Sequence, residues 1–420
     1  MTITAGALLG RVLRAAGVAA VYGEVLPGLP VVTVRDREVA RLLAAAHHRV
    51  HRRRALVHAG GVLGGHGDPL DLAAAGDLLD AVGHLANGGA VRLVLDLESG
   101  APDVVPLAFV ADRWLEPGDD ALDALRRAER PIVLAGPGVV DAVAGLHALA
   151  AAGSLGVLNT WGAKGVFDWR SRHHLATAGL QARDFELGGV TSADLVVATG
   201  VDPLEAPPDR WQAGQAVVEV APGALDRMAE AWSRPGQPIE VPPLRAGLAA
   251  VTQEGWASTD SPMAPTAATR NLATVLAGGG LVAADPGAAG YWVARTFATT
   301  ELGAVVVPAG ADAEGFAVAC ALVARRRDPK RAVLAVVDGP PRARVLAVLD
   351  TAEELGIPIP VEVWRADGDA LDPNAHLARL RRLVHATRPA LETLALDPAQ
   401  LARMVEVAGP VVAWGGLPSA

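Results

Sequence analysis

The chain is poor in lysine, cysteine and tyrosine, and it has no long apolar run. Only Lys164 and Lys330 are lysines among 37 basic residues. Arginine usage this lopsided reflects genome composition more than function, but it makes Lys164 stand out. The lone cysteine, Cys320, has no partner for a disulfide within the chain, and one thiol builds no thiolate metal cluster. That usage fits a reducing compartment, so a cytoplasmic protein is expected. Gly, Pro or charge interrupts every apolar run before transmembrane length, so no membrane partner is expected. The net charge of −9 lacks the surplus of basic residues that a nucleic-acid-coating protein needs, so no nucleic-acid partner is expected either. The apolar N-terminus, Met1–Tyr22, carries Arg11 and Arg14 at helical spacing and reads as an amphipathic first helix, not as a signal peptide.

What is present is core-forming material. Hydrophobic residues make up 51% of the 420, enough for two or three domains. Short β-branched runs alternate with Ala/Leu/Arg-rich helical stretches. The predicted strands are Val31–Val34, Ala55–His58, Val91–Leu95, Ile132–Ala135, Leu195–Thr199, Ala216–Val220, Leu281–Ala284, Ala304–Val307, Ala332–Val337 and Ile359–Trp364. Most are continuously apolar, as strands buried on both faces are. Predicted helices between them include Glu38–His51, Leu70–Ala86, Ala121–Ala128, Phe316–Arg326 and Arg342–Leu355. Strand–helix alternation implies parallel sheets with right-handed crossovers. Two aperiodic, proline-bearing stretches, Pro102–Asp120 and Gly255–Pro265, divide the chain. The expected fold class is α/β: three consecutive doubly wound, Rossmann-like domains with mainly parallel sheets. They cover residues 1–118, 119–254 and 267–420, with a linker at 255–266.

Generic chemical signatures are absent. There is no Walker phosphate loop and no HExxH. Ala152–Gly156 has the outline of a nucleophile elbow, but a helix precedes it and a strand follows, the reverse of what an elbow requires. His47 and His51 share a helix face, yet the arginines of HHRVHRRR oppose a metal. A solvated basic helix end is the expectation there. Gly60, Gly61, Gly64, Gly65 and Gly67 form a glycine-rich loop that serves either as a close approach to a ligand or as a plain turn.

A more specific order of motifs begins at Arg130. It runs Arg130–Val139 (RPIVLAGPGV), Thr160–Phe167 (TWGAKGVF), His173–His174 and Ala193–Gly200 (ADLVVATG). This order resembles the central domain of the thiamine-diphosphate-dependent acetolactate synthase and 2-oxoacid decarboxylase family. On that resemblance, Ala16–Gly23 and Val34–Ala40 look like the opening of a shortened pyrimidine-binding domain. Asp285–Gly287, Ala313–Ala317 and Val337–Gly339 look like parts of a diphosphate-binding domain. The resemblance implies thiamine diphosphate and Mg²⁺ as cofactors. It implies Glu38 as the catalytic carboxylate, Gly60, Gly61, Glu314, Gly315, Asp338 and Gly339 as cofactor-binding residues, and Asp338 with Asp367 as metal ligands.

The departures are specific. Arg37 stands in strict register where the family has its glutamate, with Glu38 one residue later. Pro340–Pro341 replace the residues that begin the helix beside the diphosphate, and Glu314 replaces a methionine. The resemblance therefore implies one of two functions. The first is decarboxylation or carboligation of a 2-oxoacid through a thiamine diphosphate carbanion. The second is a degenerate, non-catalytic fold acting as a binding or partner subunit. A third reading is a nucleotide-binding protein that uses only the central domain. A homodimer or homotetramer is expected by the same analogy.

Overall fold

The structure, a computed structural model, describes residues 2–27, 29–59, 62–64, 66–72, 81–82, 84–85, 89–94, 100–102, 119–212 and 214–417. The first module opens with β1 (Thr2–Thr4), whose Thr4 hydroxyl accepts from the Ala7 amide and caps α1 (Ala5–Ala15). Then follow β2 (Val18–Gly23), β3 (Val31–Thr33), α2 (Arg37–His51), β4 (Arg54–Ala59), β5 (Val62–Gly64), β6 (His66–Leu72), β7 (Gly89–Leu93) and β8 (Gly100–Pro102). β1 and β8 pair antiparallel. The remaining six strands form one sheet in the order β3-β2-β4-β5-β7-β6. β5 runs antiparallel to both of its neighbours, and the other pairs are parallel.

The second module contains α3 (Asp119–Arg127), β9 (Pro131–Ala135), α4 (Val143–Gly153), β10 (Gly156–Thr160), β11 (His174–Ala178), α5 (Asp184–Leu187), β12 (Leu195–Thr199), α6 (Pro208–Trp211), β13 (Ala216–Glu219), α7 (Leu225–Ala231) and α8 (Pro243–Ala257). Its five strands are all parallel, in the order β11-β10-β9-β12-β13. The chain starts at the centre, steps out, then returns past β9, so the strand order reverses between β9 and β12. There Gly136 and Gly138 press against Gly200, and the Gly138 amide donates to the Gly200 carbonyl at 2.9 Å. A side chain on Gly136 would meet the Gly200 backbone, which is why the RPIVLAGPG and ATG turns need glycine.

The third module holds α9 (Pro265–Val275), β14 (Leu281–Ala284), α10 (Ala288–Thr296), β15 (Val305–Val306), α11 (Phe316–Arg327), β16 (Val333–Asp338), α12 (Ala343–Glu354), β17 (Pro360–Trp364), α13 (Pro373–Leu383), β18 (Ala390–Leu394) and α14 (Ala399–Ala408). Its sheet is also fully parallel, β15-β14-β16-β17-β18, with the reversal between β14 and β16. Ligands of doubly wound sheets sit at the carboxyl ends of strands at such a reversal. Asp285 follows β14 and Asp338 ends β16, so both lie at this point.

The fold class is as expected: α/β, with three sheets of mostly parallel strands. One core joins the outer modules. Leu43 and Ala40 of α2 pack in a cluster with Phe316, Val318 and Leu322 of α11 and with β14, β16 and β17. The helix α11 is apolar nearly all round because it is covered on one side by its own sheet and on the other by α2. Cys320 lies fully buried within it.

Two expectations need correction. The predicted helix Leu70–Ala86 begins too early, because Leu70–Leu72 belong to β6 and pair with β7. The end of α2 is a solvated basic face only in part: His48 and Arg53 are exposed, while Arg49, His51 and Arg52 are half-buried. His47 is buried and its Nδ1 lies 2.9 Å from the Tyr22 hydroxyl, while His51 Nε2 lies 3.2 Å from the Val323 carbonyl of α11. Charge in HHRVHRRR misled because α2 is pressed between two modules.

Around the expected linker, Gly255–Ala257 complete α8. Met263 is buried and bridges to Leu396, and α9 starts at Pro265.

Candidate cofactor site and the clefts between modules

The Asp338 pocket is a cavity of about 210 Å³ at the reversal of the third sheet, bordered by Asp285, Gly287, Glu314, Asp338, Arg342 and Trp414 among others. Its walls follow from local sequence. Gly287 and Gly315 both take positive φ, 103° and 81°, where a β-carbon is strained. Each lets the chain turn into a helix, α10 and α11 respectively. Trp414 and Trp161 both donate their indole N–H to the Pro308 carbonyl, at 3.0 and 3.1 Å, which anchors the segment leading to α11.

Both aspartates are spent on helix N-termini. The Asp285 carboxylate accepts from the Gly315 amide at 3.1 Å and the Ala317 amide at 2.8 Å, at the start of α11. Asp338 Oδ1 accepts from the Ala289 amide at 3.2 Å, at the start of α10. Gly287 has no room for a side chain because the Asp338 carboxylate fills that space. Helix N-termini are natural anion seats, with unpaired amides and a partial positive charge. Here carboxylates of the chain itself occupy both. Burial pushes the Asp285 carboxyl up to about 7, with Glu314 and Asp338 adding to the rise. Burial raises Asp338 as well, against the amide hydrogen bonds that favour its ionised form.

The other predicted residues are dispersed. Asp367 does not border this pocket. Its carboxylate is held by Arg365 at 2.5 Å on the surface, and that guanidinium pulls its pKa down. Gly339 takes φ 69° and donates its amide to the Trp364 carbonyl at 2.8 Å, so it serves a turn. Glu314 lies 3.9 Å from Arg342. Gly60 and Gly61 lie outside the described residues.

Glu38 sits elsewhere. It is in the first turn of α2, which Asp36 caps by accepting from the Glu38 and Val39 amides at 2.7 and 3.1 Å. Its side chain is 52% exposed and paired with Arg41 at 2.6 Å. It lines a groove of about 1000 Å³ between α2 and the start of α11, facing Asp312, Ala313, Phe316 and Arg344. The groove and the Asp338 pocket lie along the same segment, residues 308–316, but share no lining residue. Arg37, the first residue of α2, is exposed.

A third cleft, of about 330 Å³, lies where the three modules meet. Arg49 and Arg52 of α2's end, Gly138, Asp141, Trp161 and Lys164 border it. Beside it Glu205, fully buried, accepts from the Thr160 hydroxyl at 2.5 Å and the Gly162 amide at 2.8 Å, and lies 3.5 Å from Arg49. Burial raises the Glu205 pKa, with Arg49 opposing. Sequence reasoning passed over both Glu205 and Asp285 as site residues. Asp285 carried a signal, an Asp-Pro-Gly directly after a buried strand. Glu205 carried none, because its partners Thr160 and Arg49 are distant in sequence.

Comparison with known families bears on the middle module. Residues 119–227 match the family model of the thiamine pyrophosphate enzyme central domain. The match covers the whole second sheet, from α3 to the start of α7. It supports a relation of this module to the central domain of the thiamine-diphosphate-dependent enzymes. Comparison with curated proteins found no match.

A metal-bound diphosphate needs free backbone donors and oxygen ligands turned to the cation. At the reversal of the third sheet, Asp338 takes the Ala289 amide of α10, Asp285 takes the Gly315 and Ala317 amides at the start of α11, and Asp367 is bound to Arg365. Among the described residues, no group of three or more His, Cys, Asp or Glu side chains is placed to hold a metal ion. The Asp338 pocket as built does not fit the metal–diphosphate end of the cofactor. No described helix is long and apolar enough to cross a membrane.

Proposed function

We propose that this chain is a non-catalytic protein of thiamine pyrophosphate enzyme architecture, acting as a binding or partner subunit. One observation carries the reading: Asp285 and Asp338 cap α11 and α10 and so fill, with the chain's own negative charge, the two seats where a diphosphate would find its amides. Two further facts agree with it. Arg37 stands in the register of the activating carboxylate, and the nearest substitute, Glu38, is half exposed and bound to Arg41. Removing the cofactor's seat while keeping the buried strands preserves the fold, because stability comes from the packed sheets and not from the pocket. A cytoplasmic location and self-association as a dimer or tetramer belong to this proposal.

A second reading keeps the chemistry: decarboxylation or carboligation of a 2-oxoacid, with Mg²⁺ and thiamine diphosphate. It is favoured by the groove that places Glu38 opposite Ala313 and Phe316 of the third module. Thermal melting of the purified protein with thiamine diphosphate, in Mg²⁺ and in EDTA, separates the two. The non-catalytic reading expects no saturable shift at millimolar cofactor. A ligand at one hundred times its dissociation constant stabilises by about 2.7 kcal/mol, a shift of several degrees. A saturable, Mg²⁺-dependent rise, followed by turnover of pyruvate or another 2-oxoacid, would establish the second reading in its place.

A further inference from the structure

A chamber of about 130 Å³ lies between the second and third modules, walled by β11, by α8 and by the end of α10. It is separate from the Asp338 pocket and from the Glu38 groove. Its lining is cationic and contains no carboxylate. Lys164 reaches it from the turn after β10. It is 7% exposed, and its ammonium has no hydrogen bond or ion pair among the described residues. Among the described residues, Arg245 of α8 is held only by neutral carbonyls, those of Trp169 at 3.0 Å, Ser171 at 3.2 Å and His174. Arg295 is the one cation here with a counterion, Asp184. Asp168, whose charge is felt at His174, is bound by Arg170.

Donors on the same walls are unused. His174 Nδ1, Trp256 Nε1 and Arg295 Nε are buried and have no partner. Buried N–H groups without acceptors and cations without counterions are costly, and folded proteins seldom leave several around one cavity. The charged form is already disfavoured: burial, aided by Arg295, lowers Lys164 to about 7, and burial with Lys164 lowers His174 to about 3. The rest of the wall mixes apolar side chains with the neutral polar groups of Thr177, Thr252, Gln253 and Thr296. Trp169 and Trp256 meet edge to face at 6.0 Å, and Phe297 and Leu248 close the chamber.

We propose that this chamber binds a small monocarboxylate, its oxyanion taken by Lys164, His174 and the Trp256 indole N–H, and its short apolar end set against Trp169 and Phe297. The volume limits the ligand to about four or five heavy atoms, at about 30 Å³ for each water-sized unit. This fits acetate or propionate. An anion there supplies the missing counterion for Lys164 and Arg245. It ties the second module to the third, because Lys164 and His174 come from one side and the end of α10 from the other. The proposal stands on its own residues and is independent of any binding of thiamine diphosphate.

The test uses the full chain, titrated with sodium acetate, propionate, octanoate or inorganic phosphate against sodium chloride at equal ionic strength. Melting temperature and tryptophan fluorescence are the readouts. Acetate or propionate is expected to raise the melting temperature saturably by several degrees and to change the fluorescence, with no response to chloride or octanoate. Lys164→Met is expected to melt higher than the parent without ligand, since an unpaired buried charge is gone, and to bind propionate at least tenfold more weakly. Trp256→Phe keeps an aromatic ring but removes the indole N–H, and is expected to weaken binding and remove most of the fluorescence change. Three results overturn the proposal: no saturable response to either short acid, an equal response to phosphate or octanoate, or a Lys164→Met protein that responds like the parent.

Discussion

Arg295 of α10 and Asp184 of α5 form a fully buried ion pair across the second and third modules, with Arg295 Nη2 at 2.7 and 2.8 Å from the two carboxylate oxygens. Arg295 Nη1 donates to the Thr177 carbonyl, and Tyr291 of the same helix donates its hydroxyl to Gln181 at 2.9 Å. One face of α10 is thus bonded to the turn after β11, and the two modules meet as one surface.

Breaking that pair from one side leaves a buried, uncompensated charge. Asp184→Ala should destabilise the protein by about 3–5 kcal/mol, whereas Asp184→Leu with Arg295→Met should recover most of the loss. Urea unfolding of the two single variants and the double variant checks this. A loss below about 1 kcal/mol for Asp184→Ala would show that the pair does not tie the modules together.

Asp338 serves as a cap, so Asp338→Ala should cost about 1–2 kcal/mol through the exposed amides of α10. The loss should be the same in Mg²⁺ and in EDTA. Gly287→Ala should also destabilise, since it adds a β-carbon at φ 103° against the Asp338 carboxylate. A parent protein stabilised by Mg²⁺ alone, with that gain lost in Asp338→Ala, would make Asp338 a metal ligand instead.

Lys164 sets a pH dependence whose sign is fixed. Its folded-state pKa of about 7 lies below the unfolded value of about 10.4. Between these values the unfolded chain holds a proton that the folded chain has released, so stability from this residue rises with pH. The slope is at most about 1.4 kcal/mol per pH unit, and below pH 7 the contribution is at its least favourable. Comparing urea midpoints of the parent and Lys164→Met at pH 7 and pH 9 tests this. The variant's midpoint should rise less between the two, and equal rises would refute the assignment.

Glu38 is exposed and paired only with Arg41, so Glu38→Gln should change stability by less than about 0.5 kcal/mol. It should leave the response to thiamine diphosphate unchanged. If the parent is stabilised by the cofactor and Glu38→Gln is not, the carboxylate is an activating group and the non-catalytic reading fails.

Much of the fold was readable because it is built from strands buried on both faces. Runs such as Leu195–Thr199 and Ala332–Val337 have no solvent side, so they stay apolar throughout and stand out in one dimension. The first module was less legible. There β5 runs antiparallel to its neighbours, and β6 carries His66, Asp68 and Asp71, so its Leu70–Leu72 end was absorbed into an expected helix. The site was legible only in part. The order of Asp285, Gly315 and Asp338 along the chain marked the strand ends and helix starts at the reversal of the third sheet, because such places carry turn residues. The direction of each carboxylate was not marked: a sequence does not say whether an aspartate at a strand end faces a ligand or turns onto the next helix.

The sequence by itself determined the α/β class, the sites of most strands and the glycines at the chain reversals, since burial on both faces and positive φ each restrict residue type locally. Tertiary structure alone decided that His47 and His51 of HHRVHRRR turn into a seam between modules, that Asp285 and Asp338 cap helices, and that Lys164 has no counterion among the described residues. Those properties depend on distances between residues far apart in the chain. In a buried setting the presence or absence of a single partner within about 4 Å decides whether a charge is a support, a ligand or a vacancy for one.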